Sequence, residues 1–442
     1  MVLWTLILFF SLVIIGIPIA FSFGIGALFH WIVSDPSNSI VVVTKSFASL
    51  DSFSLMAIPL FILAGDIMKE GAISRHLINL INGIIGKIKG ALAHVTVIAS
   101  LFFGAISGSS AATVAAIGGI MIPEMIKKGY SREHAVVIAA SSGFLGVLIP
   151  PSIPLIIYGF NAEVSIAKLF LGGIVPGVLI AIGFMIVNRL MYNKQMNNET
   201  AVSLEEVIEE EPNHPIQPDP DNKKSFKKNI LNAFPALLMP VIVLGGIYSG
   251  VFTPTESGAV AALYGILVSV FLYKSIGLKN LVFISGKSTL MSAIILFIIG
   301  LAGVFGWLIT TEQVPMKLAD AVTNITSNPY VILMILNIIY LILGTFLETI
   351  TAIVITTPIF LPLILAVGID PIHFGIIQTV NLSVGLITPP MALNLLMASK
   401  IGNIPVLQTV RALVPYFLVS IIVLLIVTYI PGIVLFLPNL IS

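Results

Sequence analysis

Cysteine does not occur once in the 442 residues, which excludes a disulfide, a thiolate metal site and a cysteine nucleophile, and leaves the redox compartment unspecified. Charge is almost as scarce. Asp, Glu, Lys and Arg together make up 9% of the chain, where a soluble protein carries about a quarter. Hydrophobic residues reach 57% and mean hydropathy is +1.10, so there is too little polar surface to cover a globule in water. The formal net charge of +1 gives no electrostatic footprint for nucleic acid. Also missing are an HExxH motif, a pair of Asp residues inside apolar runs, and a Ser with a His at plausible depth, which weakens the case for an intramembrane enzyme. The first apolar run, Val2 to Ala20, has no basic segment before it and exceeds a signal-peptide core, so it reads as a retained helix.

What is present is a series of apolar runs of about 20 residues, the length that spans hydrocarbon as a helix, without the alternation of a β-barrel. The chain is expected to be an all-α polytopic membrane protein. A first helix, bent near Gly24 and Gly26, is expected over residues 2–33, and a second span over 53–68. Residues 69–89 carry Lys69, Arg75, Lys87 and Lys89 among Leu77, Ile78, Leu80, Ile81, Ile84 and Ile85, the spacing of an amphipathic arm along the interface. The stretch GAISGSSAATVAAIGGIMIP, Gly104 to Pro123, then sets Ser107, Ser109, Ser110 and Thr113 inside a long apolar region. With basic residues at both ends, residues 88–128 read as a re-entrant helical hairpin turning at 104–110. A broken helix over 133–160, interrupted by Ser141-Ser142-Gly143, Gly146 and Pro150-Pro151, and a span over 167–190 complete a first unit, residues 1–192.

Residues 193–229 differ in kind, with Glu205, Glu206, Glu209, Glu210 and Glu211 followed by PNHPIQPDPD and four lysines, the composition of a solvated cytoplasmic linker. After an extra crossing at 230–250, residues 251–442 repeat the order of parts: two spans, an arm, a hairpin over 329–367 with its tip at 344–351, a broken helix over 371–399 interrupted around 381–390, and a last span over 407–437. The register is constant at 239 residues: Pro123 matches Pro362, Gly129 matches Gly368, His134 matches His373, Gly146 matches Gly385, and Pro150-Pro151 matches Pro389-Pro390. So many coincidences in one ungapped offset mark two copies of one unit. The odd crossing between them inverts the second copy. Tracing that topology with a cytoplasmic N-terminus and a periplasmic C-terminus leaves only Lys45, Lys168 and Lys317 of the 21 Lys and Arg outside, as the positive-inside rule requires.

Irregular backbone at membrane depth is tolerated only where protein buries it or where it lines a cavity, so two hairpin tips and two broken helices are expected to meet near the midplane. Half-helix N-termini suit a substrate carboxylate, and unwound carbonyls with Ser and Thr hydroxyls suit Na⁺. The expected Na⁺ ligands are Ser107, Ser110, Gly143, Gly146, Ile149 and Pro150 in the first copy, and Gly344, Thr345, Thr349, Gly385 and Thr388 in the second. Ser109, Thr113, Ser142, Glu348 and Asn381 form the expected substrate-binding set. Glu348 is the sharpest of them, because an ionisable group at that depth is costly; repulsion from an anionic substrate points it towards Na⁺ or towards capping its own hairpin. Small residues in membrane helices also serve plain close packing, and that reading stands beside the functional one.

The residues FFGAISGSSAATVAAIGGIMIPEMIKKGYSREHA with LGVLIPPSIPLIIYG, and GTFLETITAIVITTPIFLPL with NLSVGLITPPMALNLL, resemble the large membrane subunit of tripartite ATP-independent periplasmic (TRAP) transporters over essentially the whole chain. The resemblance implies Na⁺-driven uptake, across the bacterial inner membrane, of an organic acid of the sialic acid or C4-dicarboxylate class. It implies a periplasmic substrate-binding protein and a small four-helix membrane subunit as partners, the latter expected as a separate chain. It also implies an elevator, in which hairpins and broken helices move against a scaffold of the other spans. Na⁺ is the only coupling ion implied, with no organic cofactor and no enzymatic step. The rival readings are a stand-alone carrier of the wider ion-transporter superfamily and an ion channel.

Overall fold

The computed structural model describes residues 1–34, 40–71, 73–86, 88–196 and 222–440, and among these no strand is formed beyond one isolated bridge between Tyr130 and Met196. Eight helices are long and apolar enough to cross a membrane, or up to ten when each bent pair is taken as one span. The protein is an all-α multi-pass membrane protein.

The chain begins with α1 (Val2–Ile14) and α2 (Ile19–Ser34), which correct the single bent helix expected over residues 2–33. They are antiparallel: Thr5 Oγ1 lies 3.2 Å from His30 Nδ1, and the Phe9 ring stacks on Phe23 at 4.9 Å. The reason is local. Gly16 takes φ +93°, a left-handed turn open to glycine, and Pro18 has no N–H to continue the ladder. Gly24 and Gly26 lie inside α2, where the missing side chains admit Leu301 and Phe305. Met1 and Ser34 therefore emerge at the same end, which removes the crossing on which the cytoplasmic N-terminus rested.

Next come α3 (Ile40–Ala48) and, after a 3₁₀ turn over Phe53–Met56, α4 (Ala57–Glu70), the pair bent by 66°. The amphipathic arm is α5 (Ile73–Ile85), burying Ile73, Leu77, Ile78 and Ile81. A hairpin follows, made of α6 (Ala91–Ser107) and of α7 (Ser110–Thr113), which runs through a π-turn at Val114–Gly118 into α8 (Gly119–Lys127). Thr96 of the first limb reaches Met125 Sδ of the second at 3.9 Å, so the limbs run back on each other.

The first broken helix comprises α9 (Arg132–Gly143), α10 (Leu145–Leu148) and α11 (Ile153–Asn161). Ser141, Ser142 and Gly143 stay helical, and the unwinding expected there falls instead at Ile149–Ser152. Serines leave the backbone ladder intact in a dry environment, whereas a Pro pair removes two N–H groups and holds the preceding Ile149 extended at φ −80°, ψ 126°. After α12 (Ile166–Leu190), the short α13 (Tyr192–Gln195) corrects the expected start of the linker. Gln195 is buried, donates to Tyr416 Oη at 3.1 Å, and accepts at its carbonyl from Ser131 N at 2.8 Å. The acidic part of the linker lies outside the described residues, and α14 (Asn222–Tyr248) already includes its last eight positions.

The second half continues with α15 (Pro254–Ile266), extended by a π-turn over Leu267–Leu272, then α16 (Leu278–Thr311) and the arm α17 (Val314–Ile325). Its hairpin is α18 (Pro329–Phe346) with α19 (Thr349–Ala366), and its broken helix is α20 (Pro371–Gly385) with α21 (Leu393–Gly402). Asn381 is helical; the interruption is confined to the stretch between Gly385 and Leu393, around the second Pro pair. The last span ends sooner than expected, as α22 (Val406–Tyr429), and α23 (Pro431–Leu435) restarts after Pro431.

Local backbone geometry recurs at the 239-residue offset. Gly129 and Gly368 both take positive φ, at +88° and +75°; Ser131 and Asp370 both cap the broken helices; Pro150-Pro151 and Pro389-Pro390 are both cis. Two packing groups result. In one, α4 lies on α15, and α16 on α2 and α4; the other holds the hairpins, the broken helices, α12 and α22. Within the second group the broken helices exchange partners: α21 packs on α9, and α11 packs on α19.

Candidate functional site at two hairpin tips

The first tip exists because Gly108 takes φ +61°, ending α6 with its N–H on Gly104 O at 3.0 Å. A Cβ there would lie 2.6 Å from Pro151 O, so the turn is also pressed against the unwound proline pair, and Ile153 N donates to Gly108 O at 3.2 Å. Ser109 caps the helix that starts at Ser110, its Oγ accepting from Ala112 N at 3.4 Å. Three oxygens then converge. Thr113 Oγ1 donates to Ser109 O at 2.8 Å, and Ser107 Oγ lies 3.3 Å from Thr113 Oγ1 and 3.4 Å from Ser109 O. Gly146 faces this knot, since a Cβ on it would sit 2.4 Å from Thr113 Oγ1 and 2.8 Å from Ser109 O. Thus Ser107, Thr113 and Gly146 are brought together, and Thr113, expected among the substrate ligands, shares its oxygen environment with Ser107.

Ser110 points elsewhere. Its Oγ donates to Asn394 Oδ1 at 2.9 Å and accepts from Asn394 Nδ2 at 2.6 Å, while Asn394 Nδ2 also reaches Ala140 O at 3.2 Å. Gly143 leaves room for Val114 of the π-turn, whose Cγ2 lies 2.2 Å from its notional Cβ, with Asn394 Nδ2 in ordinary contact at 3.5 Å. Ile149 and Pro150 are buried beside the break, and the extended Ile149 turns its carbonyl out of the helical ladder. Ser142 is fully buried, with Oγ unpartnered among the described residues.

The second tip is built differently. Glu348 caps α19, its Oε2 accepting from Ile350 N at 2.9 Å and Thr351 N at 3.4 Å, and its side chain is otherwise exposed. Thr349 is buried, and its Oγ1 has no partner among the described residues. Thr345 Oγ1 donates to Ile342 O at 2.7 Å, and Thr388 Oγ1 donates to Val384 O at 2.7 Å. Met391 N, just past the Pro pair, donates to Thr345 O at 3.3 Å. Gly344 and Gly385 touch through their backbones: a Cβ on Gly385 would fall 2.2 Å from Gly344 C. Asn381 turns its amide to the hairpin limb, donating to Asn337 O and Asn337 Oδ1, both at 2.9 Å, and its own Oδ1 has no partner among the described residues.

Sequence reasoning missed three contributors. Asn394 and Asn337 are buried amides in apolar helices, a signal open to sequence; Gly65 of α4 carries none, yet a Cβ on it would approach Ser107 Cα to 3.0 Å. No cluster of three His, Asp or Glu occurs among the described residues, so the oxygens gathered here are hydroxyls and carbonyls. Such neutral oxygen donors suit a hard cation rather than a transition metal.

The model of the family described as tripartite ATP-independent periplasmic transporter, DctM component, matches residues 6–433. The chain belongs to this family. Among its DctM-family relatives, the C4-dicarboxylate TRAP transporter large permease protein DctM of Pseudomonas aeruginosa is 40% identical, covering 95% of this chain and 94% of that one. The isethionate TRAP transporter permease protein DctMQ of Oleidesulfovibrio alaskensis is 40% identical over 96% of this chain, which spans 64% of that longer protein. The sialic acid TRAP transporter large permease protein SiaM of Vibrio cholerae is 34% identical, covering 97% and 96%. At the level of fold alone, the YdaH transporter of Alcanivorax borkumensis superposes with a TM-score of 0.65 at 13% identity, over 90% of this chain and 89% of that one.

Proposed function

We propose that this TRAP large permease takes up an organic acid of the C4-dicarboxylate or sialic acid class, driven by Na⁺, with the two hairpin tips and the two proline-broken helices forming the ion and substrate sites. The observation that carries the reading is the paired construction of the tips. Each is pressed onto a broken helix by a glycine–glycine contact, Gly104 on Gly146 and Gly344 on Gly385; the first gathers hydroxyl and carbonyl oxygens against Gly146, and the second holds the buried Thr349 Oγ1, unpartnered among the described residues. Buried polar atoms are ordinarily satisfied, so an unpartnered one at a tip is what a bound ion or substrate would complete. Ser107, Ser109 and Thr113 with Gly146 hold one Na⁺, and Thr345, Thr349 and Thr388 with Gly385 offer a second set. The helix N-termini at Ser110 and Thr349 face the substrate carboxylate.

The packing group of α2, α4, α15 and α16 serves as scaffold, and the hairpin group moves against it as an elevator. With basic loops inside, an α1–α2 pair that crosses twice would set the N-terminus on the periplasmic side, the side proposed for the C-terminus as well, with α1 preceding the first copy as α14 precedes the inverted second. A periplasmic binding protein delivers the substrate, and a small membrane subunit completes the complex, which works in the bacterial inner membrane. The test is uptake of labelled succinate or sialic acid into proteoliposomes holding this chain and its small subunit. The proposal expects uptake only with both an inward Na⁺ gradient and the matching binding protein. Uptake indifferent to Na⁺ sinks the symport reading, and uptake without the binding protein makes the chain a stand-alone carrier.

A further inference from the structure

Asn394 is 0% exposed and is the second residue of α21, two positions after Ala392, which is held in the left-handed region at φ 42°. Its backbone N–H reaches across the second helix break to Leu386 O at 3.0 Å, so its position is fixed by the unwound segment of the second copy. Its side chain belongs to the first copy. The amide is within 2.9 Å of the Ser110 hydroxyl through Oδ1 and within 2.6 Å through Nδ2, and Nδ2 also takes the Ala140 carbonyl at 3.2 Å. The register that relates the copies puts Leu155 at the corresponding place, so the second copy's broken helix supplies a polar group that the first copy's does not return.

We propose that Asn394 is a positioning residue for ion binding at the first tip: it holds the Ser110 hydroxyl against α9 and so couples the first tip to the break of the second broken helix. The inference rests on the Na⁺ reading given above. An amide that both donates to and accepts from one hydroxyl fixes its rotamer, and a fixed Ser110 anchors the start of the tip helix between Ser109 and Thr113, whose oxygens belong to the proposed ion site. Removing the amide frees Ser110 and leaves the Ala140 carbonyl without that donor, while every other oxygen of the first tip keeps its partners. The expected signature is therefore a weakened response to Na⁺ rather than a lost transporter.

The experiment uses the full permease with its small subunit and Na⁺ itself as probe, with choline replacing it in the control. Two readouts are taken: the Na⁺ concentration for half-maximal uptake, and the Na⁺-dependent rise of the thermal unfolding midpoint. Asn394→Ala, and Asn394→Leu as a variant that keeps the volume, should each raise the half-maximal Na⁺ concentration about ten-fold, the effect of losing one buried hydrogen-bonded partner. The maximal rate at saturating Na⁺ should be largely kept. Ser110→Ala should raise the half-maximal Na⁺ concentration to the same extent, and Ser110→Ala combined with Asn394→Leu should raise it no further than either alone, because the two act as one unit. Leu155→Ala serves as the control in the other copy and should leave the Na⁺ concentration unchanged. A folded Asn394→Leu with the parent Na⁺ response, or losses that multiply in the double variant, overturns the inference. A parent protein that ignores Na⁺ in both readouts overturns the symport reading instead, which separates the two failures.

Discussion

The two hairpin tips occupy matching places and solve the same problem with different chemistry. At the first, four small hydroxyl residues and the left-handed Gly108 make a turn that is buried, internally bonded and touched by α4 at Gly65. At the second, Leu347 is extended at φ −111° and Glu348 does the capping with a carboxylate, leaving Phe346, Glu348 and Met391 exposed. Capping needs one acceptor near two or three free N–H groups, and either Ser or Glu supplies it. What differs is what remains for a ligand. The first tip spends its hydroxyls on one another and on Asn394, whereas the second leaves Thr349 without a partner.

The largest difference should appear at the glycine contacts. Gly385→Ala drives a methyl to 2.2 Å from the backbone of Gly344, which cannot yield, so a loss of about 3 kcal/mol and little folded protein are expected. Gly146→Ala meets the Thr113 hydroxyl at 2.4 Å and the Ser109 carbonyl at 2.8 Å, a milder clash, so this variant should lose less stability than Gly385→Ala and lose Na⁺ activation as well. Comparing thermal midpoints and Na⁺ titrations of the two checks the contrast, and equal damage to stability in both would erase it.

Next in size is the pair Ser110→Ala and Thr349→Ala. The first leaves the Asn394 amide short of a partner and should cost roughly 1–3 kcal/mol of stability as well as Na⁺ response. The second removes an oxygen with no partner among the described residues, so stability should hold while the Na⁺ concentration for half-activation rises. Unchanged Na⁺ activation in Thr349→Ala would take that residue out of the ion site. The smallest effect is expected from Glu348→Gln, which keeps an acceptor for Ile350 and Thr351, with Glu348→Ala costing about 1 kcal/mol as a lost cap. If the Gln variant abolished uptake at normal protein levels, the charge of Glu348 would belong to transport and not to capping.

Much of this was legible in the sequence, because glycine, proline and serine leave marks that apolar filler does not. Pro150-Pro151, Pro389-Pro390, Gly108 and the 239-residue register located both hairpins and both breaks. The α1–α2 turn was not read, although Gly16 and Pro18 signalled it, since apolar run length is the same for one kinked helix as for two antiparallel ones. Ser141, Ser142 and Gly143 were expected to unwind and did not: away from water a broken backbone bond has no substitute, so only proline, which lacks the donor, forces the break. Asn394 was open to notice as an amide in an apolar helix, but its pairing was beyond reach because Ser110 lies 284 residues away, and no local pattern carries that distance.

The proposed inversion of the second copy relative to the first underlies every comparison of the tips. The absence of cysteine makes the test direct, since any single cysteine introduced is the only one to label. Lys127 and Ala366 are both exposed, end the two hairpins, and stand 239 residues apart. In intact cells and inverted vesicles, Lys127→Cys should react with a membrane-impermeant maleimide only from the cytoplasmic side, and Ala366→Cys only from the periplasmic side. Labelling of both from one side would contradict the inverted repeat, and with it the account of a site closed by two tips that enter from opposite faces.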